Sequence, residues 1–391
     1  MNNKILMIAG EASGDLHGSH LARQFKQLCP DVSLFGVGGG LMLDAGVDIL
    51  WDITDLAVIG FAEAVRNFFP LGRLLGQIQR LVEERKPDVV VLIDYSGFNL
   101  KVAKRLSDTG VPIVYYFPPQ IWASRSYRAK EIARVITKVI AVFPFEIAIY
   151  RKAGADFSFF GHPLLDVVGT SLDRAGALEQ FGLRENGPIV SLLPGSRHHE
   201  IDRLLPLLLD SAKLVSRSMP EVQFILPLAC SISRKKVDHL LKGADLDIHV
   251  IENHTYDAVG ISDLVLVASG TATLEAAILK TPMIIVYRTS WFTWLLARFM
   301  LHLPFIGLAN IVAGKKIVPE FLQTMARPEL VAAEALDILR NEQRRDSIKR
   351  DLSEAVKKLG EPGAIERSAR LILDLDRRDQ GGQMQKKAGV V

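Results

Sequence analysis

Ile5-Leu6-Met7-Ile8-Ala9-Gly10-Glu11-Ala12-Ser13-Gly14-Asp15 is the stretch on which the fold turns. A short apolar run stops at a glycine, small and acidic residues follow, and a helical pattern occupies Ser19–Leu28. That order predicts a strand buried on both faces, a tight turn and a helix, the repeating unit of an open parallel sheet. The same form recurs in VVVLID (Val89–Asp94), IVYYF (Ile113–Phe117) and KVIAVF (Lys138–Phe143), with a helix-length stretch at Leu71–Arg85. A second series consists of IVSLLPG (Ile189–Gly195), VQFILPL (Val222–Leu228), LVLVAS (Leu264–Ser269) and MIIVYR (Met283–Arg288).

Two such series predict an α/β protein of two Rossmann-like domains facing across a cleft, a usual place for a ligand. The Pro/Gly-punctuated stretch 161–187 reads as the join, and beyond Pro328 the periodicity is purely helical. The expected division is a domain at 1–165, a second at 166–350, helices at 351–375 packing back on the first, and a disordered polar tail at 376–391.

Composition narrows the function. Over 391 residues, 47 Lys+Arg against 44 Asp+Glu leave +3, too balanced for a dedicated nucleic-acid binder. The apolar share of 49% excludes a disordered chain. Cys29 and Cys230 cannot form a disulfide framework, which points to a reducing compartment. The N-terminus reads as a strand and not as a signal peptide. WFTWLLARFMLHLPFIGL (Trp291–Leu308) is apolar but broken by Arg298, His302 and Pro304, so a membrane span is rejected. A buried helix and a helix lying on a lipid surface both remain open for it.

The candidate chemistry lies at the ends of the strands. Gly10, Glu11, Ser13, Gly14 and Asp15 close the first strand, where glycines let a substrate approach and two acids suit sugar hydroxyls better than a pyrophosphate. A plain helix-capping turn is the alternative. Asp94 ends its strand and is placed for general-base work on a hydroxyl nucleophile; it could equally cap the next helix. Gly195, Ser196 and Arg197 offer freed amides, a hydroxyl and a guanidinium that grips phosphate oxygens. Ser269, Gly270 and Thr271 open a helix whose end favours phosphate, and Glu275 one turn on suits vicinal ribose hydroxyls. Together these two loops favour a nucleotide-diphosphate pocket over simple capping. Such a pocket needs no metal or other cofactor.

Other signals are weaker. His198, His199 and Glu200 lack metal-binding spacing, and Gly36–Gly40 fails the GxGxxG pattern and follows the second strand. Trp122 follows IVYYF and is expected to line the cleft. His162 reads as a hinge or a satisfied structural group, and Asn310 as a ligand contact or a turn residue. Glu320 and Gln323 are expected on one helical face.

Taken in order along the chain, GEASGD, Asp55–Gly60, FPFE (Phe143–Glu146), GHP (Gly161–Pro163), LLPGSR, ASGTATLE and NIVAGKKIVPEFLQ (Asn310–Gln323) resemble lipid-A-disaccharide synthase over nearly the whole length. The resemblance implies a metal-independent, inverting glycosyltransferase of the GT-B fold. Its substrates would be UDP-2,3-diacylglucosamine and 2,3-diacylglucosamine 1-phosphate. The products would be the β-1,6-linked lipid A disaccharide 1-phosphate and UDP. It further implies Asp94 as base, Arg197 on the diphosphate, Glu275 on the ribose and Asn310 as functionally important. It also implies a cytoplasmic protein held peripherally on inner-membrane lipid, and a homo-oligomer is compatible with it. Three places depart from the family pattern: Gly97 replaces an acid, Ser124 a tryptophan, and Ala309 a proline. A UDP-sugar 2-epimerase, a paralogous transferase with another acceptor, and a non-catalytic nucleotide- or lipid-binding protein remain the alternatives.

Overall fold

The apolar runs at the centre of each series fold as covered strands; Val89–Ile93 and Leu264–Ala268 are buried at each position. The computed structural model describes residues 3–53, 68–119, 127–288 and 304–387. Its chain divides into two units, Met1–Asp166 with Gly360–Val391, and Val167–Leu359.

In the first unit lie β1 (Lys4–Ala9), β2 (Ser33–Val37), β3 (Asp48–Trp51), β4 (Val89–Ile93), β5 (Ile113–Tyr116), β6 (Lys138–Ala141) and β7 (Phe157–Phe159). They form one sheet in the order β3-β2-β1-β4-β5-β6-β7, with every pairing parallel. The second unit holds β8 (Ile189–Leu193), β9 (Gln223–Leu228), β10 (Ile248–Glu252), β11 (Leu264–Ala268), β12 (Met283–Tyr287) and β13 (Glu320–Leu322). These run β10-β9-β8-β11-β12-β13, again all parallel. Both sheets thus repeat one doubly wound order, in which winding reverses between β1 and β4 and between β8 and β11.

Parallel pairing requires crossovers, so helices cover both faces and the strands become core. Leu6, Ile8, Val90, Leu92 and Val139 pack with the helical Ile78, Val102 and Ile132 in the first unit. Ile189 and Ile225 meet Ala177, Phe181 and Ala258 in the second. Each fully buried aliphatic side chain contributes about 1.5–3 kcal/mol.

Several expectations are corrected. The chain rejoins the first unit at Gly360, and the helix Glu342–Lys357 stays with the second. Asp166 fastens the return by accepting from the Gly363 and Ile365 N–H groups, and Arg367 donates to the Phe160 carbonyl at 2.6 Å. Residues 376–387, expected in a disordered tail, extend the helix Ala364–Lys387, although Gly381 and Gly382 are poor helix formers. Glu320 lies in the edge strand β13 and Gln323 begins a 3₁₀ turn, so pairing with β12 overrides the helical spacing. Trp122, residues 291–303 and Asp55–Gly60 lie outside the described residues. Among the described residues no helix is long and apolar enough to cross a membrane.

Candidate functional site

The register of β1 on β4 pairs Ala9 with Ile93, so Gly10 and Asp94 leave neighbouring strands side by side at the first switch point. The backbone there is unusual. Asp94 and Tyr95 have φ of 51° and 43°, and Phe117, just past β5, has 55°. Bulky residues in the left-handed region cost about 1–3 kcal/mol each and persist only when their surroundings hold them. Here the Asp94 carbonyl accepts from Asn99 Nδ2 at 2.9 Å and from the Tyr115 hydroxyl at 3.0 Å. Asn99 Nδ2 also reaches the Ile8 and Ile93 carbonyls, which ties the two strand ends together.

The held turn presents the half-buried Asp94 carboxylate, and Ser13 Oγ donates to its Oδ2 at 2.8 Å. A Cβ on Gly10 would overlap the Tyr95 ring, and one on Gly14 would press on the Ile93 carbonyl and Ala9. Burial, with Glu11 nearby, raises the Tyr95 phenol above its usual range; burial and then Asp94 raise Tyr115 further. Ser13 thus touches Asp94, Gly14 lies close beside it, and Gly10 packs against the neighbouring Tyr95 ring.

Asp15 has a different occupation. It is buried, and its carboxylate accepts from the Gly39, Leu41 and Met42 N–H groups at 2.8–3.0 Å. It fixes the glycine-rich loop after β2, and its oxygens are engaged by this chain's own backbone. His162 is likewise structural. It is 2% exposed, its Nδ1 accepts from Leu164 N–H at 3.1 Å, and it packs on Phe117 and Phe143. His17 stacks on Phe117 with ring centres 3.7 Å apart, and burial lowers both imidazoles to about 3.

In the second unit, β8 and β11 run side by side with Leu193 opposite Val267, which brings LPGSR and ASGT to one switch point. Ser196, Arg197, Gly270 and Thr271 are exposed there. The sequence suggested free amides here, but those of Ser196 and Arg197 are engaged: Glu200 Oε2 accepts from both at 3.1 and 3.2 Å. Gly195, at φ +118°, makes room for that carboxylate. Ser269 Oγ donates to the Ile306 carbonyl at 3.2 Å. Glu275 accepts from the Tyr256 hydroxyl at 3.4 Å, and burial raises its carboxyl above the ordinary range.

Asn310, for which a ligand contact and a turn role were both open, acts as an internal clamp of its loop. It is fully buried, its Nδ2 donates to the Val318 carbonyl and to Glu320 Oε1, and its Oδ1 accepts from Ile317 and Val318 N–H. Those four bonds use the whole hydrogen-bonding capacity of an amide side chain. Asn99, Tyr115, Glu200 and Tyr256 were not singled out by spacing. A buried amide on the apolar face of Ser96–Leu106 was the available signal for Asn99. Among the described residues no group of three or more His, Cys, Asp or Glu could hold a metal ion.

Comparison with known proteins follows this geometry. The family model for lipid-A-disaccharide synthetase matches residues 5–374, through both units. The lipid-A-disaccharide synthase of Syntrophus aciditrophicus is 42% identical over 377 residues, covering 96% of this chain and 98% of its own. That of Geobacter metallireducens is 40% identical over 374 residues, with 96% and 97% covered. Among solved structures, MurG of Acinetobacter baumannii superimposes with a TM-score of 0.60 at 13% identity, covering 96% of this chain and 100% of its own. The UDP-GlcNAc 2-epimerase of Neisseria meningitidis, bound to UDP-GlcNAc, gives 0.58 at 11%, with 96% and 99% covered. These two likenesses show the fold alone. The identities across both units show more: this chain belongs to the lipid-A-disaccharide synthetase family of glycosyltransferases in lipid A biosynthesis.

Proposed function

We propose that the chain joins UDP-2,3-diacylglucosamine to the 6-hydroxyl of 2,3-diacylglucosamine 1-phosphate by a single inverting displacement. As the 6-oxygen bonds to the anomeric carbon, Asp94 takes its proton. The bond from that carbon to the diphosphate oxygen breaks, and its electron pair leaves with UDP. The products are the β-1,6-linked tetraacyl disaccharide 1-phosphate and UDP. Ser13 orients the carboxylate, and Gly10, Glu11, Gly14 and Trp122 contribute to the acceptor side. Arg197, with Gly195, Ser196 and the turn Ser269–Thr271, stabilises the departing diphosphate, while Glu275 accepts from the ribose hydroxyls.

One observation carries the assignment of roles: the family match spans two sheets of one winding order, and each unit's candidate residues sit at its own switch point. Ligands of doubly wound sheets bind at such points. The long acyl chains of these substrates and the apolar stretch Trp291–Leu308 support peripheral association with the cytoplasmic face of the inner membrane. Vesicle sedimentation with anionic lipid tests that association.

Product analysis by mass spectrometry, with both diacyl sugars and purified protein, tests the reaction. The disaccharide phosphate is expected only when both substrates are present. An epimer formed from the UDP-sugar alone, or UDP released without an acceptor product, overturns the reading.

A further inference from the structure

Glu200 is a carboxylate already seated on the groups that the proposed function gives to a diphosphate. Besides the two amides held by its Oε2, its Oε1 accepts from Arg197 Nη1 at 3.2 Å. The Glu200 side chain is 12% exposed, whereas that of Arg197 is 45% exposed. Gly195 is what admits this arrangement, because a Cβ at that position would overlap the Glu200 carboxylate.

The two oxygens have separable roles. Capping backbone N–H groups is a task that neutral Gln performs as well as Glu. The bond to the guanidinium is an ion pair and depends on the charge. A diphosphate reaching Arg197 must share its N–H donors with Glu200 and brings negative charge toward a carboxylate. Burial raises the nearby Tyr287 phenol above its usual range, and the charges of Glu200, Arg197 and Arg203 act on it as well.

We propose that Glu200 sets the affinity for the nucleotide by competing with the diphosphate for Arg197, holding UDP more weakly than the donors alone would and easing its release after transfer. This rests on the reading of Arg197 as the diphosphate-binding arginine.

The test is calorimetric titration of UDP into the full-length protein, E200Q, R197A and the R197A/E200Q double variant at one ionic strength. Circular-dichroism melts establish that each variant is folded. R197A should weaken UDP binding. E200Q keeps an oxygen for both amides and should tighten it about two- to fivefold, the scale of a partly exposed ion pair. UDP should also leave E200Q more slowly in stopped-flow measurements and inhibit turnover at lower concentration. On the R197A background the effect of E200Q should vanish. If R197A weakens binding while E200Q leaves it unchanged or weaker, competition is overturned and the diphosphate reading stands. If R197A leaves UDP affinity unchanged, the diphosphate reading itself falls, and the competition with it.

Discussion

Asp94 shows how a single carboxylate is prepared. Its own left-handed φ and that of Tyr95 are held by Asn99 and Tyr115 behind the turn, while Ser13 engages the carboxylate from the front. If it is the base, Asp94→Ala lowers kcat by at least about 10²-fold and leaves UDP affinity within about twofold, as steady-state kinetics and titration will show. Turnover within threefold of wild type would remove Asp94 from the mechanism. Glu146 poses a different residue-level case. It is fully buried, with Oε2 on the Val142 and Phe143 amides, Oε1 without a partner, and burial raising its carboxyl from 4.5 to about 8. Between these values the unfolded chain has lost the proton that the folded protein keeps, so stability falls as pH rises from about 4.5 to about 8. Glu146→Gln removes that slope. Denaturant unfolding at pH 5 and pH 8 should show the variant gaining on wild type by a few kcal/mol, order of magnitude, across the interval. Parallel pH dependence in the two proteins would exclude a proton held on Glu146.

At the scale of elements, the central strands were legible because each is a continuous apolar run that only a doubly covered strand explains. The strands β3, β7, β10 and β13 are partly exposed, so they carry no such run and were not anticipated. The segment Gly307–Glu320 is where element and residue meet. The Glu320 carboxylate, on an edge strand, accepts from the Ile306 and Gly307 N–H groups and from Asn310, closing a loop that the Asn310 amide completes. Asn310→Ala breaks four buried hydrogen bonds, for an expected loss of about 2–4 kcal/mol in urea unfolding. The KM for the UDP-sugar should stay within about threefold in protein that remains folded. A large rise in KM without loss of stability would restore Asn310 to the ligand.

For the whole molecule, two units with separate cores carry the proposed acceptor and nucleotide halves. UDP at about 100 times its Kd should therefore stabilise Val167–Leu359 by about 2.7 kcal/mol. Hydrogen exchange should register that protection first around Gly195–Arg197 and Ser269–Glu275. Protection confined to the first unit would contradict the assignment. The chain also leaves the second unit at Leu359 to finish on the first, a return anchored on Asp166. Helical periodicity foretold the helices there, but their partners lie nearly two hundred residues away in sequence.

The sequence by itself determined two doubly wound sheets, and it marked the turns that follow β1, β4, β8 and β11. Both features are local: a buried parallel strand must be apolar throughout, and its turn must be small or polar where the helix begins. Only the tertiary structure decided how each polar group is used. Asp15 and Asn310 had the composition of ligand contacts, yet their hydrogen bonds are consumed by backbone at positions 39–42 and 317–318 and, for Asn310, by the Glu320 carboxylate as well. Glu200 followed two histidines that lack metal-binding spacing and drew no site role from the sequence, yet it occupies the guanidinium proposed for the diphosphate. A hydrogen bond is a matter of a few ångströms between atoms whose separation along the chain is arbitrary, and no spacing rule specifies it.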